Sequence, residues 1–427
     1  MTALILFGTF VFFLVVNVPV GIALGTASMG ALIYGGLVDS SYLAQSLVTS
    51  IDSFPLMAVP FFILAGDLMG HGGLSKRLLD VGDIIFGRFT GGLALVAVAT
   101  CMFFAAISGS GPATVAAIGG IMFPAMAARG YNRNFSAGLV ASAGCIGVVI
   151  PPSIPMVIYG ISASVSVSQM FLAGIIPGLF IGAVLMGVSY YKSKKSGYHG
   201  EKHHYTAKEI LAIIYDAKWA IMVPVIILGG IYGGIFTPTE AAAVAVLYGF
   251  FVGMFVYKDL KWGELYHVIS KSALTTATVM IIVGTATVFG RVLAIEGIPV
   301  MIAKYITHIT DNPIMILIFI NLMLLVVGCF METLAAIIIL SPILLPVVLA
   351  VGIDPVHFGV VMIVNLAIGF ITPPLGLNLF VSARVSEITL EDVSKGVLPF
   401  LLAMIVVLLV LTYVPQITLF LPNLFAN

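Results

Sequence analysis

A chain of 427 residues that is 61% hydrophobic and 8% charged, with zero formal net charge, is not built as a soluble protein, because soluble domains carry about 25% charged residues. Balanced charge with no basic tail or patch also argues against a nucleic-acid partner. The first basic residue is Lys76, so no positively charged segment precedes the first apolar run, as a secretory signal peptide would require.

In chain order, apolar segments predict crossings or half-crossings near 3–35, 54–70, 91–107, 113–128, 135–150, 154–164, 170–191, 219–235, 239–257, 273–290, 313–329, 333–351, 356–371, 375–383 and 396–421. Several are too short to span alone, which fits hairpins and broken helices rather than a simple serpentine. Non-helical backbone at membrane depth must be buried in protein or line a wet cavity. Stretches 74–90, 258–272 and 298–311 are charged and amphipathic and are expected to lie in the interface plane. Residues 192–218 read as the one clearly aqueous loop, with Lys192, Lys194, Lys195, Lys202, Lys208 and Lys218 marking the cytoplasmic side. Its His199, His203 and His204 lack metal-ligand spacing, and the lack of basic residues before Lys76 places the N-terminus outside. Asp67, with His71 four residues on, and Asn365 are isolated polar groups expected to hydrogen-bond between helices. Cys101, Cys145 and Cys329 read as buried small hydrophobes.

The chain repeats itself. Between Ser108 and Pro177 the two halves align without a gap at an offset of 222 residues. Pro124 then meets Pro346, Gly130 meets Gly352 and Gly147 meets Gly369; Pro151-Pro152 meet Pro373-Pro374, Gly174 meets Gly396 and Pro177 meets Pro399. Corresponding apolar segments that are both interrupted are the best sequence pointer to a secondary transporter's binding site.

Four interruptions carry the chemistry. Ser108-Gly109-Ser110-Gly111-Pro112 allows a tight tip, with Pro112 placed at the start of a new helix. In the second repeat Glu332 stands for Ser110 and Thr333 for Gly111, after Gly328. A carboxylate in an apolar run is a functional candidate by default; it could hold a cation, orient its own helix start, or exchange a proton. The proline pairs forbid a continuous helix, freeing carbonyls at Val149, Ile150, Ile371 and Thr372 beside the oxygens of Ser153 and Asn378. Oxygen ligands of this kind suit a hard cation such as sodium, and helix N-termini favour anions. The expected sodium sites are therefore Ser108, Gly109, Ser110, Gly111, Val149, Ile150 and Ser153 in repeat 1, and Gly328, Glu332, Thr333, Ile371, Thr372 and Pro374 in repeat 2. Ser110, Pro152, Ser153 and Asn378 are the expected substrate contacts. No phosphate-binding G-x-x-x-x-G-K-[ST] pattern occurs, which excludes ATP hydrolysis by this chain. An intramembrane enzyme would need a nucleophile–base pair or metal cluster at depth, and a channel would need pore-lining charge rings; neither pattern is present. No cofactor is expected beyond the bound cation.

Gly233-Gly234-Ile235-Phe236-Thr237-Pro238-Thr239-Glu240-Ala241-Ala242-Ala243 reads locally as a capping box with proline in the first turn. Together with Ser108–Thr114, Pro151–Pro155 and Pro373-Pro374-Leu375-Gly376-Leu377-Asn378 it resembles the large membrane subunit of the tripartite ATP-independent periplasmic (TRAP) transporters, over essentially the whole chain. The resemblance implies an all-α polytopic protein of the bacterial inner membrane, with an inverted repeat of two re-entrant hairpins and two broken helices. It implies an elevator-type transport domain on a scaffold, with scaffold and arm helices in 1–90 and 219–312, transport repeats in 91–190 and 313–427, and the loop 191–218 between the halves. It further implies sodium coupling, a separate small four-helix membrane subunit, a periplasmic substrate-binding protein and a carboxylate substrate. The sequence looks nearest to sialic-acid members. C4-dicarboxylate or other organic-acid permeases, and a stand-alone sodium/carboxylate symporter, are the alternatives.

Overall fold

A computed structural model describes residues 1–16, 18–36, 40–200, 205–309 and 312–425. All regular structure among these is helical. Helices α1 (Thr2–Val15) and α2 (Val20–Gly35) pack as a hairpin, followed by α3 (Ser40–Ile51), a 3₁₀ turn at Phe54–Met57, α4 (Ala58–His71) and α5 (Leu74–Phe86). Then come α6 (Gly92–Ser108), α7 (Gly111–Ala128), α8 (Arg133–Gly144) with a 3₁₀ turn to Val148, α9 (Ile154–Ser162) and α10 (Val167–Ser196). The second half runs α11 (Ala207–Tyr232), α12 (Pro238–Phe251) with a π-helical extension to Val256, α13 (Trp262–Ile295) and α14 (Ile298–Ile309). It closes with α15 (Pro313–Phe330), α16 (Thr333–Ala350), α17 (Pro355–Gly369), α18 (Leu377–Ser386), α19 (Leu390–Tyr413) and α20 (Pro415–Leu424). Among the described residues nine helical stretches are long and apolar enough to cross a membrane.

The 222-residue offset is carried into three dimensions. Tips fall between α6 and α7 and between α15 and α16, and the breaks follow α8 and α17. Gly130 and Gly352 both take left-handed φ, +74° and +76°, where the chain turns into α8 and α17. The prolines at 151–152 and 373–374 are joined by cis peptides in both copies. Cys145 Sγ lies 3.0 Å from Ala367 O; these two positions are one repeat apart, so the contact sits on the pseudo-two-fold axis.

Side-chain ties identify two ends. At one, Arg77 meets Asp216 at 3.1 Å and Asp259 at 2.6 Å, Tyr205 donates to Asp83, and Tyr198 OH accepts from Asn132 N. At the other, Thr239 donates to Phe54 O, Tyr159 to Pro355 O and Tyr413 to Ile314 O. Following the alternation of helices, Arg291 and Lys304 are the only described Lys or Arg residues near this second end. That asymmetry is the pattern the positive-inside rule expects of a cytoplasmic lysine-rich end.

Four boundaries differ from the sequence reading. The 3–35 segment is two helices, because Pro19 precedes the start of α2 and cannot continue α1. The 396–421 segment likewise splits before Pro415. The supposed loop 192–218 is mostly helix: Lys192, Lys194 and Lys195 ride the last turns of α10, and a Thr206–Glu209 capping box starts α11. His199 stays between the helices, whereas Lys202, His203 and His204 fall outside the described residues. Stretch 258–272 is no separate interfacial helix, since from Trp262 it runs unbroken into α13. At 34 residues α13 is about 51 Å long, well beyond the ~30 Å hydrocarbon core.

Candidate functional site

Each tip packs against the break of its own repeat. In repeat 1, α6 ends at Ser108 and Gly109 takes φ +59°. A Cβ at Gly109 would lie 2.8 Å from Pro152 O, so only glycine lets the tip sit this close to the break. Ile154 N donates across the junction to Gly109 O at 3.4 Å. Ser108 Oγ and Thr114 Oγ1 are 3.0 Å apart, and Thr114 Oγ1 donates to Ser110 O at 2.8 Å. Gly147 admits this cluster, since a Cβ there would stand 2.6 Å from Ser110 O and from Thr114 Oγ1. Ser108, Gly109, Gly111, Val149, Pro152 and Ser153 are buried; Ser110 and Ile150 are half-buried.

Repeat 2 reaches the same shape with different chemistry. Glu332 caps α16, one carboxylate oxygen accepting from Leu334 N at 3.1 Å and Ala335 N at 3.4 Å. Thr333 is buried to 1%, and its hydroxyl has no hydrogen-bond partner. Gly328 lies directly against Gly369, whose Cβ would collide with the Gly328 carbonyl. Thr372 Oγ1 donates to Ile368 O at 2.8 Å. Ile371 is buried, Thr372 half-buried and Pro374 exposed, so the second break is the more open one.

One substitution between the breaks is compensated atom for atom. In repeat 2, Asn378 N donates directly to Phe370 O at 3.0 Å. At the matching positions of repeat 1, Ser153 Oγ bridges the gap, donating to Val148 O at 2.6 Å and accepting from Met156 N at 3.4 Å. The serine is thus bound into the fold of its break. Asn378 is fully buried and ties the repeats together, its amide donating to Ala141 O at 3.1 Å and facing Cys145 Sγ at 3.7 Å. Its own oxygen is unpartnered. Unpaired buried oxygens are costly unless something fills their need, and Thr333 and Asn378 supply one each near the tips.

Asn365 and Asp67 are interhelical links. Asn365 Nδ2 donates to Asn321 O at 3.0 Å and Oδ1 at 2.9 Å; Asn321 Nδ2 donates to Thr412 Oγ1 at 3.0 Å, and His357 contacts Thr412 O and Thr418 Oγ1. The repeat-1 counterparts of Asn321, Asn365 and His357 are Ala99, Ala143 and Phe135, so this polar ladder belongs to repeat 2 alone. Asp67 accepts from Ser272 at 2.7 Å and pairs with Lys271 at 3.1 Å. Among the described residues no group of three or more His, Cys, Asp or Glu could hold a metal ion. Arg291 escaped the sequence reading. Its signal was isolation, as the one charged residue between Lys271 and Glu296.

The comparisons agree with this architecture. The family described as "Tripartite ATP-independent periplasmic transporter, DctM component" matches residues 7–417. The isethionate TRAP transporter permease DctMQ of Oleidesulfovibrio alaskensis is 54% identical over 97% of this chain, which spans 66% of that relative's length. The C4-dicarboxylate large permease DctM of Rhodobacter capsulatus is 39% identical over 99% of both chains, and the sialic acid large permease SiaM of Vibrio cholerae 41% over 96% of both. The solved Alcanivorax borkumensis YdaH transporter shares the fold, with a TM-score of 0.67 over 88% of this chain and 89% of its own at 16% identity. Paired tips, paired breaks and a match across nearly the whole chain place it in one family: this protein belongs to the DctM family of TRAP transporter large permeases, multi-pass proteins of the bacterial inner membrane.

Proposed function

We propose that this permease imports a small organic anion by sodium-coupled, elevator-type transport. In this reading sodium is cargo: one ion sits between each tip and its break, and the anion binds between the two sites. The observation that carries it is the duplicated junction of broken helices, where the tip at Ser108–Gly111 meets the break at 149–153 and the tip at Gly328–Thr333 meets the end of α17 at Gly369, and the Thr333 hydroxyl and Asn378 oxygen lie buried without partners. Such oxygens meet the needs of a hard cation. The tips and breaks would travel together, carried past α4, α12 and α13.

Sialic acid and C4-dicarboxylates are substrates of relatives at about 40% identity, while the 54% identical relative transports isethionate. A small hydroxylated organic anion is therefore the favoured substrate, with sialic acid the second choice. A small membrane subunit and a periplasmic binding protein would complete the system. The DctMQ relative has about a third of its length outside the match, room for a fused small subunit.

The test is uptake into proteoliposomes holding this chain and its small subunit, with the binding protein supplied outside. An inward sodium gradient should drive accumulation and replacing sodium by potassium should abolish it. Equal uptake in potassium, or full transport by this chain alone, would overturn the reading.

A further inference from the structure

Near the outer end of the molecule, a cavity of about 380 Å³ lies between α3 and α13 on one side and α9 and α16 on the other. Its walls are largely apolar, including Leu56, Ile161, Ile338 and Pro342, and no Asp or Glu lines it. Arg291 borders it from α13, half-buried, about 6 Å before the end of that helix. A cation is tolerated there by the helix C-terminal dipole, but the dipole does not account for where the guanidinium is spent. Nη1 donates to Ser46 Oγ on α3 at 3.0 Å, and among the described residues no carboxylate pairs with it. A guanidinium has five donors in a planar fork suited to planar or tetrahedral oxyanions. With Lys304, it is one of two described Lys or Arg residues near this end of the molecule.

The hydroxyls around the cavity add a second requirement. Ser50 donates to Leu47 O at 3.0 Å and Thr287 to Val283 O at 2.7 Å. Having spent their protons on their own helices, both hydroxyls keep lone pairs that can accept but cannot donate. One fixed cation with nearby acceptors matches a ligand carrying one negative charge and at least one hydroxyl donor. It mismatches a dicarboxylate, whose second charge would face acceptor oxygens and apolar walls.

We infer that the Arg291 cavity is an outer receiving site for the transported anion, selecting hydroxylated monoanions over dianions. This rests on the organic-anion reading above. An anion delivered from outside would meet the guanidinium before reaching the tips, and the cavity lies where moving and static elements would part.

The experiment is substrate-induced thermal stabilisation of the purified complex with its small subunit, in sodium. The probes are isethionate, its hydroxyl-free analogue ethanesulfonate, and succinate. Isethionate should bind tightest, ethanesulfonate more weakly and succinate weakest. Arg291→Gln should raise the isethionate Kd about tenfold or more while leaving the ligand-free melting temperature and the sodium response unmoved; Arg291→Lys should fall between. An unchanged Kd in Arg291→Gln, or succinate binding as well as isethionate, overturns the inference while leaving organic-anion transport intact. Wild-type protein that neither binds nor transports any organic anion overturns both. Should Arg291→Gln lose stability, Thr287→Val decides: its hydroxyl is the acceptor argued for isethionate, so isethionate should weaken toward ethanesulfonate, and an unchanged preference refutes the site.

Discussion

Replacing Glu332 by Gln separates two roles that this carboxylate can hold. One oxygen caps α16 through Leu334 N and Ala335 N, a geometry the glutamine carbonyl can reproduce. The charge is what the substitution removes. A carboxylate ~5 Å from a bound cation at an effective dielectric of ~20 contributes about 3 kcal/mol. Water reaching this half-buried side chain cuts that to about 1–2 kcal/mol, a 5- to 30-fold change in an equilibrium. Glu332→Gln should therefore raise the sodium concentration for half-maximal uptake by roughly tenfold with little change in melting temperature. Glu332→Ala should show the same sodium defect and also lose about 1 kcal/mol of stability, the ordinary value of an N-cap. The assay is sodium dependence of uptake beside thermal unfolding for the three proteins. A Glu332→Gln curve that overlays wild type would leave only the cap and refute the electrostatic role.

Thr333→Val replaces an unpartnered buried hydroxyl by a methyl; sodium affinity should fall several-fold while the melting temperature holds or rises, and a lowered melting temperature with normal sodium dependence would remove Thr333 from the ion site. Gly369→Ala should prevent stable folding, because its Cβ overlaps the Gly328 backbone, whereas Gly120→Ala, on an exposed face of α7 with open space beside it, should be neutral or stabilise by about 0.5–1 kcal/mol. Arg77→Lys should lower stability nearly as much as Arg77→Ala, by about 1–2 kcal/mol, since one ammonium cannot span Asp216 and Asp259 while stacking on Tyr257 at 3.6 Å; full recovery in the lysine protein would contradict this.

The breaks were the legible part of the sequence, because proline and glycine act on the backbone locally and leave the same mark wherever they stand. The offset of 222 residues placed tips and proline pairs in register, and the structure keeps both. Where one apolar residue follows another without charge, the sequence has little punctuation. The α1–α2 turn is marked only by Asn17 and Pro19, so 3–35 read as one segment. Charge misled in the opposite direction. Lysines along α10 and α11 suggested a long aqueous loop, yet a helix emerging from a membrane can keep its hydrogen bonds in water and carry charge on its final turns. Roles that depend on a partner from elsewhere in the chain had no local signature. Ser153 looked like a free ligand because its tie to Val148 O is a property of the folded break. Arg291 owes its setting to α3, α9 and α16, which enclose the space beside it only in the folded chain.

The contact between Cys145 and Ala367 has a consequence for how the molecule moves. Any displacement that carries both repeats as one unit leaves the spacing of an axial pair unchanged, whereas rocking one repeat against the other about a hinge away from this pair alters it. These two positions therefore act as an internal ruler. A disulfide drawn between Cys145 and a cysteine introduced by Ala367→Cys would spare a lift that travels whole and arrest a pair of jaws.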